Sequence, residues 1–188
     1  QGRDSRWPSP KICRNERIVM TEDIANSRTM LRALRLRFCA IFVLVLIADQ
    51  VTKQIMLALI FDPPRWIEIA AILNFVPVWN RGMSFGMLAD GGILVPIGLT
   101  SLAIAVSAWL FWMAPGFART QRLAAPLIAG GAIGNAIDRL RFGKVVDFID
   151  VHYAGWHWPA FNLADAAITR GAVLWGDSIL REQETSRK

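Results

Sequence analysis

The chain has 188 residues, enough for one domain and short for two. Hydrophobic residues make up 54%, and 14 glycines lift the apolar share above the soluble norm of about 45–50%, which excludes an ordinary water-soluble globule. The net charge of +6 sits mostly in residues 1–37, where nine basic residues face four acids, so it reads as a membrane-orienting tail rather than a nucleic-acid surface.

That tail shows no sustained apolar periodicity, and residues 1–36 are expected to be a disordered cytoplasmic segment. The chain opens with Gln, which makes Met20 and Met30 candidate starts. Four apolar segments follow, at about 38–61, 92–114, 123–140 and 163–180. At about 1.5 Å per residue each is long enough to cross a hydrocarbon core of about 30 Å. Pro63 and Pro64 stop the first helix, because proline lacks the amide hydrogen that would continue it. In the connection at 62–91, Trp66–Ile69 and Asn74–Trp79 alternate weakly, as short strands do. Residues 182–188 form a second cytoplasmic tail. Lys and Arg concentrate on the side of both termini and of the 115–122 loop, which puts that side in the cytoplasm and the 62–91 and 141–162 connections outside.

An ionisable group inside a bilayer costs at least about 2.5–3.5 kcal/mol, so each needs a partner or a purpose. Asp49 and Lys53 are four apart on one face of the first helix. Asn135, Asp138 and Arg139 share a face of the third, beside a GxxxG spacing at Gly130 and Gly134 that lets a neighbouring helix approach. These groups are expected to meet as a buried polar network, either holding helices together or supporting a site. Asp147, in the apolar stretch Val145–Ile149, and Asp165, third in the fourth helix, are read as the two unpaired acids. Two facing carboxylates share one proton, so one can activate water while the other donates to a carbonyl oxygen. The alternative makes Asp165 a helix cap and Asp147 a solvated loop acid. Three weaker candidates remain: His152 with His157 as metal ligands, Ser84 with Lys53 as nucleophile and base, and an Arg170–Asp177 pair.

Five stretches together resemble the lipoprotein signal peptidases (signal peptidase II): Asp49–Lys53, Asn80–Gly86, Gly130–Arg139, Val145–Phe148 and Phe161–Asp165, in the family's order. The resemblance implies an aspartic endopeptidase that removes signal peptides from prolipoproteins, just before the diacylglyceryl-modified cysteine. It implies Asp147 and Asp165 as catalytic residues, and Asp49, Lys53, Asn80, Gly82, Asn135, Asp138, Arg139 and Asn162 as supporting or substrate-binding ones. It further implies an all-α membrane protein of four transmembrane helices, with a small extracytoplasmic β-cradle and a short amphipathic helix. No cofactor or metal is called for. The expected partners are prolipoprotein and membrane lipid, with no nucleic acid, and the expected setting is a bacterial inner membrane, as a monomer. Two other classes compete: a small transporter or proton channel relaying through Asp49, Lys53, Asp138 and Arg139, and a scaffold docked by its basic tail.

Overall fold

The computed structural model describes residues 10–82, 92 and 94–186, the side chains of 10–25 and of Ser186 excepted. Four helices and a four-stranded sheet emerge. Helix α1 spans Pro10–Ile60, α2 Leu94–Met113, α3 Gln121–Phe142 and α4 Leu163–Ser186. The strands are β1 (Ile67–Ala70), β2 (Leu73–Asn80), β3 (Val145–Tyr153) and β4 (Trp156–His157), antiparallel in the order β1-β2-β3-β4. Among these residues, Leu94–Gly116 is the single stretch that qualifies as a membrane span on length and apolarity. The expected strands in the 62–91 connection are present. The described part of that connection, 62–82, holds no helix, and Ser84 with the rest of 83–91 lies outside the described residues.

The terminal tails depart from expectation. Residues 10–36, expected to be disordered, continue α1, and the tail expected at 182–188 continues α4 to Ser186. Residues 11–36 contain neither proline nor glycine. A helix already nucleated by its apolar half gains one hydrogen bond for each further residue fixed, so nothing stops it there.

Helix α3 is central, packed against α1, α2 and α4. Its glycines allow this. A Cβ on Gly130 would stand 3.0 Å from the Phe42 carbonyl of α1, and one on Gly134 would stand 2.5 Å from Asp49 Oδ2. The GxxxG face therefore receives α1. Gly131 turns the other way, where a Cβ would collide with the Ala164 carbonyl and the Ile168 side chain of α4. Backbone cannot step aside, so Gly131→Ala should separate α3 from α4 and cost about 1–3 kcal/mol, the range for overpacking. Thermal unfolding in detergent measures this, with Gly98→Ala as control: nothing lies within 4 Å of a Cβ at Gly98, and that change should not lower stability.

Two apolar clusters cap the bundle. One joins Phe38, Leu110, Ala125 and Ala129; the other joins Ile60, Val146 and Phe148 under the sheet, with Phe75 and Trp79 against it. Buried polar residues from α1, α3, β3 and the start of α4 lie in the protein interior beside the second cluster. Helix α3 ends at Gly143, whose left-handed backbone (φ 69°) favours glycine and sends its N–H back to the Arg139 carbonyl. The chain then turns directly into β3.

Candidate active site

Strand β3 carries Asp147, whose Cα partner in the ladder is Val78 of β2. The same strand binds the approach to α4: Phe161 exchanges backbone hydrogen bonds with Ile149 in both directions, at 2.9 and 3.0 Å. That bridge delivers Asn162 beside Asp147, and three residues later Asp165 occupies the first turn of α4.

Asn162 caps α4. Its Oδ1 accepts from the Asp165 N–H at 3.0 Å, while the Asp165 carboxylate accepts from the Asn162 N–H at 3.2 Å. This reciprocal pair has the geometry of a capping box, with Asn and Asp in its two places. Asn162 Nδ2 also donates to Asp147 Oδ1 at 2.7 Å and to Asn135 Oδ1 at 3.1 Å. The other Asp147 oxygen accepts from Asn80 Nδ2 at 2.9 Å, and the Gly82 N–H fixes that amide by donating to Asn80 Oδ1. Asp165 Oδ1 accepts from Asn135 Nδ2 at 2.7 Å. Three asparagines thus hold two carboxylates from opposite flanks. Asp165 is a cap and also a member of the acidic pair, so the two readings of it are compatible. Asp147 is not a solvated loop acid, because only 1% of it is exposed.

Beneath the pair lies a closed ionic cluster. Lys53 Nζ donates to Asp49 Oδ2, Asp138 Oδ2 and Asn135 Oδ1, each at 2.9 Å, so all three of its protons are used. Both carboxylates pass the contact on. Asp49 Oδ1 accepts from the Ala164 N–H at 2.9 Å, and Asp138 Oδ2 from the Val146 N–H at 3.1 Å. Lys53 therefore fixes the first turn of α4 and the first residues of β3, the two segments that carry Asp165 and Asp147. The Arg139 guanidinium donates to the Asn135 carbonyl and is close enough to act electrostatically on Asp165, Asp147 and Asp138.

Burial, followed by the like charge of Asp165, pushes the Asp147 carboxyl up to about 6, against the hydrogen bonds from Asn80 and Asn162 and the charge of Lys53. The folded protein holds this proton more tightly than the unfolded chain, so the stabilisation is complete below the ordinary value of 3.8 and is lost as pH rises through about 6. Thermal unfolding in detergent should show wild type losing on the order of 3 kcal/mol across that window relative to Asp147→Asn, for which the dependence flattens. Parallel curves for the two proteins would contradict it.

The other candidates resolve differently. Arg170 and Asp177 do not pair: Asp177 takes Arg181, four residues on, at 2.8 Å, and Arg170 is exposed. Seven residues is two helical turns, too far for the contact that four residues allow. His157 Nδ1 meets Asp150 at 2.9 Å and stacks on His152 with ring centroids 5.0 Å apart. Asp150 also accepts from Asn74; burial would raise its carboxyl, but these hydrogen bonds outweigh burial and lower it. Among the described residues no cluster suited to a metal ion is found.

Sequence reasoning missed Gln50. Its Nε2 lies 3.2 Å from Asp49 Oδ2, Asp138 Oδ1 and the Gly134 carbonyl. Its place directly after Asp49 was the available signal.

The signal peptidase (SPase) II family model matches residues 41–180. The lipoprotein signal peptidase of Polynucleobacter necessarius is 42% identical over 147 residues, covering 76% of this chain and 89% of that one. That of Paraburkholderia phymatum is 45% identical over 135 residues, covering 70% and 80%. A solved bacterial membrane enzyme superposes with a TM-score of 0.68 at 30% identity, over 79% of this chain and 90% of its own. With most of its length matched by one family model, and by relatives that share a name, the chain belongs to the signal peptidase II family: it is a membrane peptidase that removes signal peptides in lipoprotein maturation.

Proposed function

We propose that Asp147 and Asp165 are the catalytic pair, and that they hydrolyse the bond just before a diacylglyceryl-modified cysteine of a prolipoprotein. One observation carries this reading. Two carboxylates from separate elements are each gripped by asparagine amides around Asn162, with no basic group in ion-pair contact with either among the described residues.

With burial holding its carboxyl above the ordinary carboxylate range, Asp147 is the acid of the pair, and Asp165 acts as the base. It removes a proton from water, the water oxygen attacks the scissile carbonyl carbon, and Asp147 gives its proton to the carbonyl oxygen. The tetrahedral intermediate collapses when its hydroxyl proton returns to Asp147 and the proton on Asp165 passes to the leaving nitrogen. The carboxyl and amine products separate with both carboxyl groups in their starting states. Arg139 lowers the cost of holding this charge near the bundle, while Asn135 and Asn162 keep both carboxylates aimed.

In this reading the four helices all span the bilayer of a bacterial inner membrane, both termini are cytoplasmic, and the pair lies at the outer leaflet beneath the sheet. The substrate keeps its acyl chains in lipid, and the enzyme acts as a monomer. The Lys and Arg asymmetry supports this orientation. The transporter reading finds no support: Lys53 is fully engaged with fixed acceptors, and the relatives are peptidases.

Cleavage of a lipid-modified prolipoprotein by the purified protein tests the proposal, with chelator and serine-reagent arms. Activity should survive both. Chelator sensitivity would return attention to His152 and His157, and serine-reagent sensitivity to Ser84.

A further inference from the structure

Helix α1 continues well past the bundle on the side of the chain termini. Towards that side it packs against the end of α2, where Phe38 meets Phe111 edge-on at 5.5 Å. Arg35 lies at the same level. Its guanidinium carbon sits 5.7 Å from the centre of the Phe111 ring and 5.2 Å from that of Trp112. Its Nε is buried with no hydrogen-bond partner. Arg28 and Arg32 precede it by seven and three residues and are exposed. At 3.6 residues per turn these three arginines form one stripe, while Arg37 falls on the far side of the helix. Residues 26–37 contain four arginines and no acid. Among the described residues no carboxylate lies within ion-pair distance of the stripe.

We propose that Arg28, Arg32 and Arg35 form a docking stripe for anionic phospholipid headgroups of the leaflet on the side of the chain termini. The spacing fits. A helix rise of about 1.5 Å places Arg32 about 4.5 Å and Arg28 about 10.5 Å beyond Arg35 along the axis. The polar zone on each side of a bilayer is about 5–8 Å deep, half the difference between about 40–45 Å overall and about 30 Å of hydrocarbon. With Arg35 at the hydrocarbon edge, Arg32 stands within the phosphate layer and the Arg28 backbone just beyond it, within reach of the layer for a side chain as long as arginine. Stacking on Phe111 and Trp112 pre-orders the Arg35 guanidinium, a fork suited to two phosphate oxygens. Trp112, 64% exposed, has the place and chemistry of an interfacial aromatic. The inference rests on the proposed orientation, with the termini at an anionic leaflet, and is separate from the peptide-cleaving site.

The test uses the full chain in mixed micelles holding equal phosphatidylglycerol and phosphatidylcholine, with retained lipid counted by native mass spectrometry. Wild type should retain phosphatidylglycerol preferentially. Arg28→Gln and Arg32→Gln touch no packed side chain, and each should weaken that retention about fivefold, the loss expected for one basic residue near a charged surface. Arg37→Gln should weaken it much less, and the Arg28→Gln/Arg32→Gln double variant should still cleave prolipoprotein at the wild-type rate. Unchanged retention in the double variant would overturn the stripe, and equal losses from Arg37→Gln and Arg32→Gln would reduce it to diffuse charge. Displacement of the lipid by inorganic phosphate at matched concentration would also overturn it, by showing a soluble-anion site. A wild-type protein that retains phosphatidylglycerol yet cleaves nothing would sink the catalytic reading and leave the stripe standing.

Discussion

Asp147→Asn is expected to stop prolipoprotein cleavage while the protein inserts and folds as before. Removing the acid denies the carbonyl oxygen its proton donor, a contribution of about 10²–10⁴-fold in rate for a positioned acid or base. The fold should tolerate the change, because the ionised Asp147 is itself an unfavourable buried charge at neutral pH. The new amide keeps one oxygen for Asn162 Nδ2, and Asn80 turns its own amide to accept from the other arm, giving up its contact with the Gly82 N–H. Asp165→Asn should be equally inactive but less stable than wild type. Its nitrogen would have to face either the Asn135 amide or the Asn162 N–H, both donors, so the cap of α4 is weakened by about 0.5–2 kcal/mol. The measurements are cleavage of a lipid-modified prolipoprotein and thermal unfolding of both variants at neutral pH. A single variant that cleaves at the wild-type rate would refute the pair. Two variants equally destabilised would refute the assignment of Asp165 alone to the cap.

These two acids were legible because of what surrounds them in sequence. Asp165 has no base three or four residues away, Asp147 lies in an apolar run, and each follows an apolar or capping stretch that a solvated acid would not need. The pairing of Asp49 with Lys53 and the small-residue face of α3 were legible for the same reason: four-residue periodicity is local information. Contacts that join distant elements were not. Nothing near Asn162 announces that its amide would serve Asp147, Asn135 and the first turn of α4 at once, since that depends on the Ile149–Phe161 bridge closing a loop of eleven residues between them. The run Val145–Ile149 was read for its carboxylate and not for its β-branched neighbours, and the nine-residue strand β3 went unpredicted. Gly131 escaped notice beside Gly130 and Gly134 because one residue round a helix faces a different partner, here α4 in place of α1. The length of α1 escaped because a polar surface with many arginines resembles a solvated coil in composition. What separates them is the apolar half of the same helix, which nucleates the rest.

Lys53→Met is expected to damage the protein more than any other single replacement outside the acidic pair. The side chain is fully buried, and its ammonium is held by Asp49, Asp138 and Asn135. With Lys53 present the three charges sum to −1; without it Asp49 and Asp138 leave −2 in the same dry volume, with only Gln50 and backbone N–H groups to answer them. Stranding buried charges in this way typically costs about 3–5 kcal/mol. The damage should also reach the chemistry, because Asp49 orients the Ala164 N–H of α4 and Asp138 the Val146 N–H of β3. When those carboxylates repel one another, the segments bearing Asp165 and Asp147 drift apart, and cleavage should fall along with the unfolding temperature. A merely space-filling role for Lys53 predicts something else, since methionine is close to it in size and flexibility and would then be tolerated. The double variant Lys53→Met/Asp49→Asn separates the two. It returns the cluster to −1, and the amide introduced in place of the Asp49 carboxylate keeps an oxygen to accept from the Ala164 N–H. It should therefore recover more than half of the stability lost by Lys53→Met alone. Recovery of cleavage should lag behind recovery of stability, because Asn135 and Asp138 still lack the ammonium that positioned them.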